Sequence, residues 1–249
     1  MPALAIRVAG LTYAALVFMM VYAVFAYFMA FLGNLWVEPS VDKGAVSSTL
    51  TAVAIDLCLI ALFGLQHSLM ARARCKGALT KIITPDLERS TYVHASNMAL
   101  ALLMWLWHPV PMVVWHVEGE LGSAIIWGVF ALGWMLLFVG SLMIDQLELL
   151  GLRQAWAWFQ LGHHKNRKLQ TRGLHGVVRH PMYFGIIMAV WATPHMTAGH
   201  LLLAIGLTVY ILIALPFEER DLVRTFGKPY REYQQRMPRL IPFKWRRKG

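Results

Sequence analysis

The sequence predicts an all-α polytopic membrane bundle of five to six spans, with both termini on the cytoplasmic side. Three observations predict it: a surplus of apolar residues, their grouping into long runs, and a one-sided distribution of positive charge. Of 249 residues, 58% are hydrophobic and 14% charged, and the mean hydropathy is +0.53. Soluble domains carry about 25% charged residues. One globular core cannot hide so much apolar surface, so lipid must cover the remainder. At this length the chain reads as a single domain.

A helix needs about 20 apolar residues to cross the hydrocarbon core. The first run, Ala9–Leu35, is too long for a signal-peptide core and has no cleavage site, so it reads as a retained span. The second is Leu50–Leu69, which contains Asp56. The third, Val93–Trp107, leads into an aromatic, proline-containing belt, and the fourth is Ala124–Ile144. Two shorter runs follow, Met182–Thr193 and Leu201–Phe217, separated by Pro194, His195 and Gly199. They form either one kinked helix or a helical hairpin. Positive charge decides between these, because Lys and Arg collect in cytoplasmic loops. With a hairpin, all but Lys43 of the 23 Lys and Arg residues fall on one side. A single crossing would strand the strongly basic tail on the opposite side, so the hairpin is expected.

The formal charge of +10 therefore records topology and contact with anionic lipid, and no nucleic-acid partner is expected. The terminal KWRRK reads as an interfacial anchor. Cys58 lies in an apolar span and Cys75 in a basic loop, so no disulfide is expected.

Two polar stretches carry the candidate chemistry. The first, TRGLHGVVRHPMYFG (171–185), places His180-Pro181 where an apolar helix begins. Proline suits a first helical turn, and the exposed N–H groups there attract anions. The second, PFEERDLVRTFGKPYREYQQRMPRLIPF (216–243), sets Glu218 and Glu219 directly after an apolar run. Carboxylates at that depth need cations or a ligand, and the hairpin offers Arg179 and His180. Tyr230 and Tyr233 either pack over this region or sit at the interface.

Together these stretches resemble the membrane methyltransferases related to isoprenylcysteine carboxyl methyltransferase and phospholipid methyltransferase. The resemblance covers about residues 169–242 and implies S-adenosylmethionine as methyl donor. It places the donor against Thr171, Gly173, Leu174, His175, Val178, Arg179, His180, Pro181, Tyr183 and Glu219. A carboxylate would meet its ammonium, N–H groups its carboxylate, and aromatic faces its sulfonium. One position departs from the prenylcysteine enzymes, which place Arg four residues before the essential Glu. Here Ala214 and Leu215 stand there, which argues against carboxyl methylation.

The segments QHSLMAR (66–72), ERSTYV (88–93) and Ser96-Asn97 resemble the NnrU-like membrane proteins and extend the likeness over most of the chain. This implies methylation of a small apolar thiol, with methanethiol converted to dimethyl sulfide, and assigns residues 1–150 to the acceptor side. Methylation of a lipid or prenylated thiol is the alternative within the same class. A non-enzymatic haem or nitrogen-oxide protein is the alternative outside it.

A thiol attacks best as thiolate, so a proton-handling group is sought. His67, Asp145 and Glu218 are the candidate catalytic residues. Asp145 and Glu148 either orient His67 or Arg72 or pair with Arg153. Asp56 is a further intramembrane acid. The histidines, including His163-His164 and His94, are scattered and contain no HExxH or CxxC pattern, so no metal site is expected. Oligomeric state is left open.

Overall fold

A computed structural model describes residues 3–162 and 169–243. His163, His164 and the KWRRK anchor lie outside the described residues. The described residues are predominantly helical. In order come α1 (Leu4–Leu32), α2 (Thr49–Met70), α3 (Ala73–Leu79), α4 (Pro85–Trp105), β1 (Val113–His116), α5 (Glu120–Met143), α6 (Gln146–Leu149), α7 (Leu152–Phe159), a 3-10 turn (Gly173–Gly176), α8 (Pro181–Trp191), β2 (His195–Thr197), α9 (Ala198–Phe226) and α10 (Lys228–Arg236). The strands pair as a two-stranded ribbon. The all-α membrane expectation holds.

Four helices, α1, α2, α5 and α9, are long and apolar enough to cross a membrane. Helix α4 misses that standard because its first third, PDLERST, is polar, although Leu100, Leu103 and Met104 farther on are buried. Helix α8 is apolar but has only 11 residues.

The chain divides into two units. The first comprises Met1–Val114, Asp145–Arg167 and Thr197–Leu203. In it α1 packs on α4 and α7, and α2 packs on α4. Val17 and Val21 of α1 meet Tyr92 and Val93 of α4 and Leu150 in a buried cluster. Ser48 starts α2 by accepting from the Thr51 N–H at 3.2 Å, which satisfies one orphan donor of the first turn.

The second unit comprises Trp115–Ile144, Lys168–Met196 and Ala204–Gly249. Its framework is α5 against α8. A Cβ built on Gly133 would lie 2.6 Å from the Gly185 carbonyl oxygen, and one on Gly185 would strike that of Gly133. Only glycine permits this approach, and backbone proximity is how helices associate where lipid removes the hydrophobic drive. Near the turn, Trp191 Nε1 donates to Thr208 Oγ1 at 2.9 Å. At the far end Tyr183 Oη donates to Glu218 at 2.7 Å. Helices α8 and α9 are therefore antiparallel, the hairpin that charge counting selects.

The sequence reading and the structure differ in one respect that positions the site. The apolar run stops at Phe217, but α9 continues through Pro216 to Phe226. Proline removes one backbone donor without ending the helix. Glu218 and Glu219 consequently stand on a rigid rod rather than in a loop.

Candidate functional site

The polar centre of the second unit is assembled from the start of α8, the far end of α9, and the chain following α10. Its hub is Glu219, 4% exposed. One carboxylate oxygen, Oε1, accepts from Arg179 Nε at 2.7 Å and pairs with Arg179 Nη2 at 2.6 Å. His180 Nε2 stands 3.3 Å from the same oxygen. The other, Oε2, accepts from Arg239 Nε at 3.1 Å, Arg239 Nη2 at 3.0 Å and Gln234 Nε2 at 3.3 Å. A carboxylate has about four lone-pair sites, so Glu219 is saturated. Such a buried ion pair tolerates its desolvation only because the remaining lone pairs and protons are also bonded.

Arg179 does more than pair. Its Nη1 donates to the carbonyls of Gln234 at 2.9 Å and Met237 at 2.5 Å, so all three guanidinium nitrogens are engaged. The backbone strengthens the link, because Arg179 N donates to Pro238 O at 2.9 Å and His180 N to Arg239 O at 3.1 Å. The RHP stretch and the MPRL stretch are thus two sides of one short ladder. Pro181 occupies the first turn of α8.

Beside the hub, Glu218 is half-buried and accepts from Tyr183. No partner of its other oxygen is found among the described residues. The Tyr183 and His180 rings are stacked, with centroids 5.7 Å apart. Tyr233 Oη donates to the His175 carbonyl at 2.5 Å and ties α10 to the 3-10 turn. Burial is the main cause that pushes the Tyr233 phenol up to about 12, offset in part by Arg179. In that turn Gly173 has φ +61° and lies against Met143, and Leu174 O accepts from Val177 and Val178 N–H. Thr171 is exposed, and its N–H, with that of Arg172, donates to Gln170 Oε1.

The structure therefore brings together Arg179, His180, Tyr183, Glu218 and Glu219. Sequence reasoning missed Arg239, Gln234 and Gln170. Arg239 was visible as the basic residue of MPRLIP, but nothing local indicates that it folds back on a glutamate twenty positions earlier.

His67 and Asp145 belong to the first unit. His67 ends α2 and is bonded on both sides. Ser96 Oγ donates to Tyr92 O at 2.9 Å, so it accepts the Nδ1–H of His67 at 3.0 Å. Nε2 then accepts the Tyr92 hydroxyl at 2.7 Å. Asp145 has φ +70° and caps α6 by accepting from Glu148 N. It also pairs with Arg153 at 2.6 Å, the second of the two expected readings. Asp56 is buried and accepts from His108 N at 3.0 Å. Among the described residues no group of three His, Cys, Asp or Glu could hold a metal ion.

Residues 127–229 match the phospholipid methyltransferase family. Over nearly the full length the chain is similar to proteins named methanethiol S-methyltransferase. The one from Mycobacterium tuberculosis is 40% identical over 237 residues, 95% of this chain and 97% of its own. The one from Pseudomonas deceptionensis is 41% identical over 241 residues, 97% and 92% respectively. Nurim from Xenopus laevis is 32% identical over 180 residues, 68% of this chain and 62% of its own. No solved structure matches. Identity at this level across whole chains, over a segment that folds as one polar hub on an apolar hairpin, places the chain in the methanethiol S-methyltransferase family of integral membrane proteins.

Proposed function

We propose that the protein transfers the methyl group of S-adenosylmethionine to a small thiol, with methanethiol as acceptor and dimethyl sulfide as product. The observation that carries this reading is the 40% identity over 95% of the chain to a protein bearing that name. The match to the phospholipid methyltransferase family supports methyl transfer in general. Neither favours the haem or nitrogen-oxide alternative. The absence of Arg at Ala214 and Leu215 argues against carboxyl methylation.

S-adenosylmethionine supplies a methyl group on a sulfonium, displaced in line by the acceptor sulfur. The acceptor gives up its thiol proton to water, the C–S bond to the donor breaks as the new C–S bond forms, and S-adenosylhomocysteine leaves. The residues of the second unit fit the donor's charges. Glu219 has no lone pair left for an ammonium, so we assign it to fixing Arg179 and Arg239. Glu218, with an available oxygen, is the carboxylate for the donor ammonium. The half-exposed Arg239 and the turn around His175 face the donor carboxylate, and the Tyr183 ring offers a face to the cation. In the amino-terminal spans, His67 acts by holding the Tyr92 hydroxyl, and Asp145 is assigned the cap and ion pair it makes. The basic loops support a donor site on the cytoplasmic side of the membrane, and we assign that membrane as a bacterial cytoplasmic one.

Headspace analysis tests the substrate. Membranes containing the protein, given S-adenosylmethionine and methanethiol, should release dimethyl sulfide. Output no higher than a boiled control would sink the thiol assignment. Product formed only from a prenylated thiol would favour the lipid alternative.

A further inference from the structure

Three tyrosines surround the Glu219 hub, and two have obvious bonds: Tyr183 to Glu218 and Tyr233 to the His175 carbonyl. The third, Tyr230 of α10, is 2% exposed, yet no hydrogen-bond partner of its hydroxyl is found among the described residues. A buried phenol ordinarily finds a partner, because leaving the O–H unmade sacrifices its hydration for nothing. The ring is fixed in place, in edge contact with Tyr233 at 5.8 Å between centroids. The hydroxyl feels charges of both signs, Glu219 most strongly, then Arg179 and Glu218. Burial first, and then the Glu219 carboxylate, push the phenol up from its ordinary value, so it remains a neutral hydroxyl able both to donate and to accept.

We propose that the Tyr230 hydroxyl is a ligand of the aminoacyl end of the methyl donor. This rests on the S-adenosylmethionine reading above. The aminoacyl end is the part of the donor that carries an ammonium and a carboxylate together. It matches a hydroxyl set between fixed charges of both signs, which can accept from the ammonium and donate to the carboxylate. Glu219 cannot take that place because all its lone pairs are committed.

The test is calorimetric titration of the full chain in detergent with two ligands. S-adenosylhomocysteine carries the aminoacyl end; 5′-methylthioadenosine keeps adenine, ribose and thioether but lacks it. Tyr230→Phe should weaken S-adenosylhomocysteine about tenfold or more, the scale of a hydrogen bond to a charged group, and leave 5′-methylthioadenosine within about twofold. Its melting temperature without ligand should equal or exceed that of the wild type, since an unmade donor is removed. Tyr233→Phe is the control, because it breaks an existing bond and should melt lower. Equal weakening of both ligands, or of neither, would overturn the assignment. A wild-type protein that binds neither ligand would overturn the donor reading itself, and this inference with it.

Discussion

Replacing Glu219 with alanine would leave the Arg179 and Arg239 guanidinium groups without the carboxylate both of them hold. Breaking a buried pair from one side costs about 3–5 kcal/mol, so Glu219→Ala should lower the melting temperature sharply and abolish S-adenosylhomocysteine binding together with stability. Glu218→Gln is expected to behave differently. The amide can still accept from Tyr183, so the melting temperature should hold while S-adenosylhomocysteine affinity falls about tenfold or more, the loss of one charge-assisted bond. Reversed phenotypes would exchange the two roles. Tyr233 carries a pH signature. Its phenol is raised from 10.0 to about 12 in the folded chain, so the stability it contributes is complete below pH 10. That contribution is lost as pH rises through about 12, and melting curves should show a component of alkaline destabilisation that Tyr233→Phe lacks. The arginine, histidine and glutamates of the hub were legible in sequence because each sits at a junction of apolar and polar chain, where an ionised group needs an explanation. Arg239 and Gln234 were not, since their partner is fixed only once residues 237–239 fold back along Arg179. The left-handed backbone that makes Asp145 a cap has no periodicity to betray it.

Helix positions came through the sequence well where apolar runs were unbroken, as in α1, α2 and α5, whose ends fall within several residues of expectation. Composition misleads where a helix outlasts its apolar face. Helix α9 runs on for nine positions beyond Phe217 through a mostly polar segment, held by tertiary bonds to Glu218 and Glu219 rather than by lipid. Helix α4 begins eight residues before the expected span, with Pro85 in its first turn and Asp86 and Glu88 suiting the positive end of its dipole. The α5–α8 contact belongs wholly to this scale. Because the Gly133 and Gly185 backbones touch, Gly185→Leu must push the helices apart and should reduce both melting temperature and donor binding. Gly128→Leu, whose Cβ would meet nothing within 4 Å, is the matched control on α5 and should do neither. Comparable loss in both variants would show that the close approach is not what holds this pair.

At the scale of the molecule, orientation is the most exposed prediction. A cysteine replacing Lys43 should react with an impermeant reagent added outside intact cells, whereas one replacing Arg220 should react only after the membrane is opened. Labelling of both from outside would invert or break the proposed topology. Fold class was readable because lipid imposes a simple rule on composition, and the same rule for charge supplies the orientation that the labelling experiment tests. The choice of acceptor was not, since no pattern of side chains distinguishes a two-heavy-atom thiol from a longer one, and it came instead from whole-chain similarity. The short ladder joining Arg179 and His180 to Pro238 and Arg239 also sets an order of events during synthesis. Every apolar helix leaves the ribosome before residue 239 does. A chain terminated by a nonsense codon just before Arg239 would insert all its spans and occupy membrane like the complete product. It would lack the second guanidinium that holds Glu219, so an abundance measurement would count it as protein while a ligand-binding measurement would not.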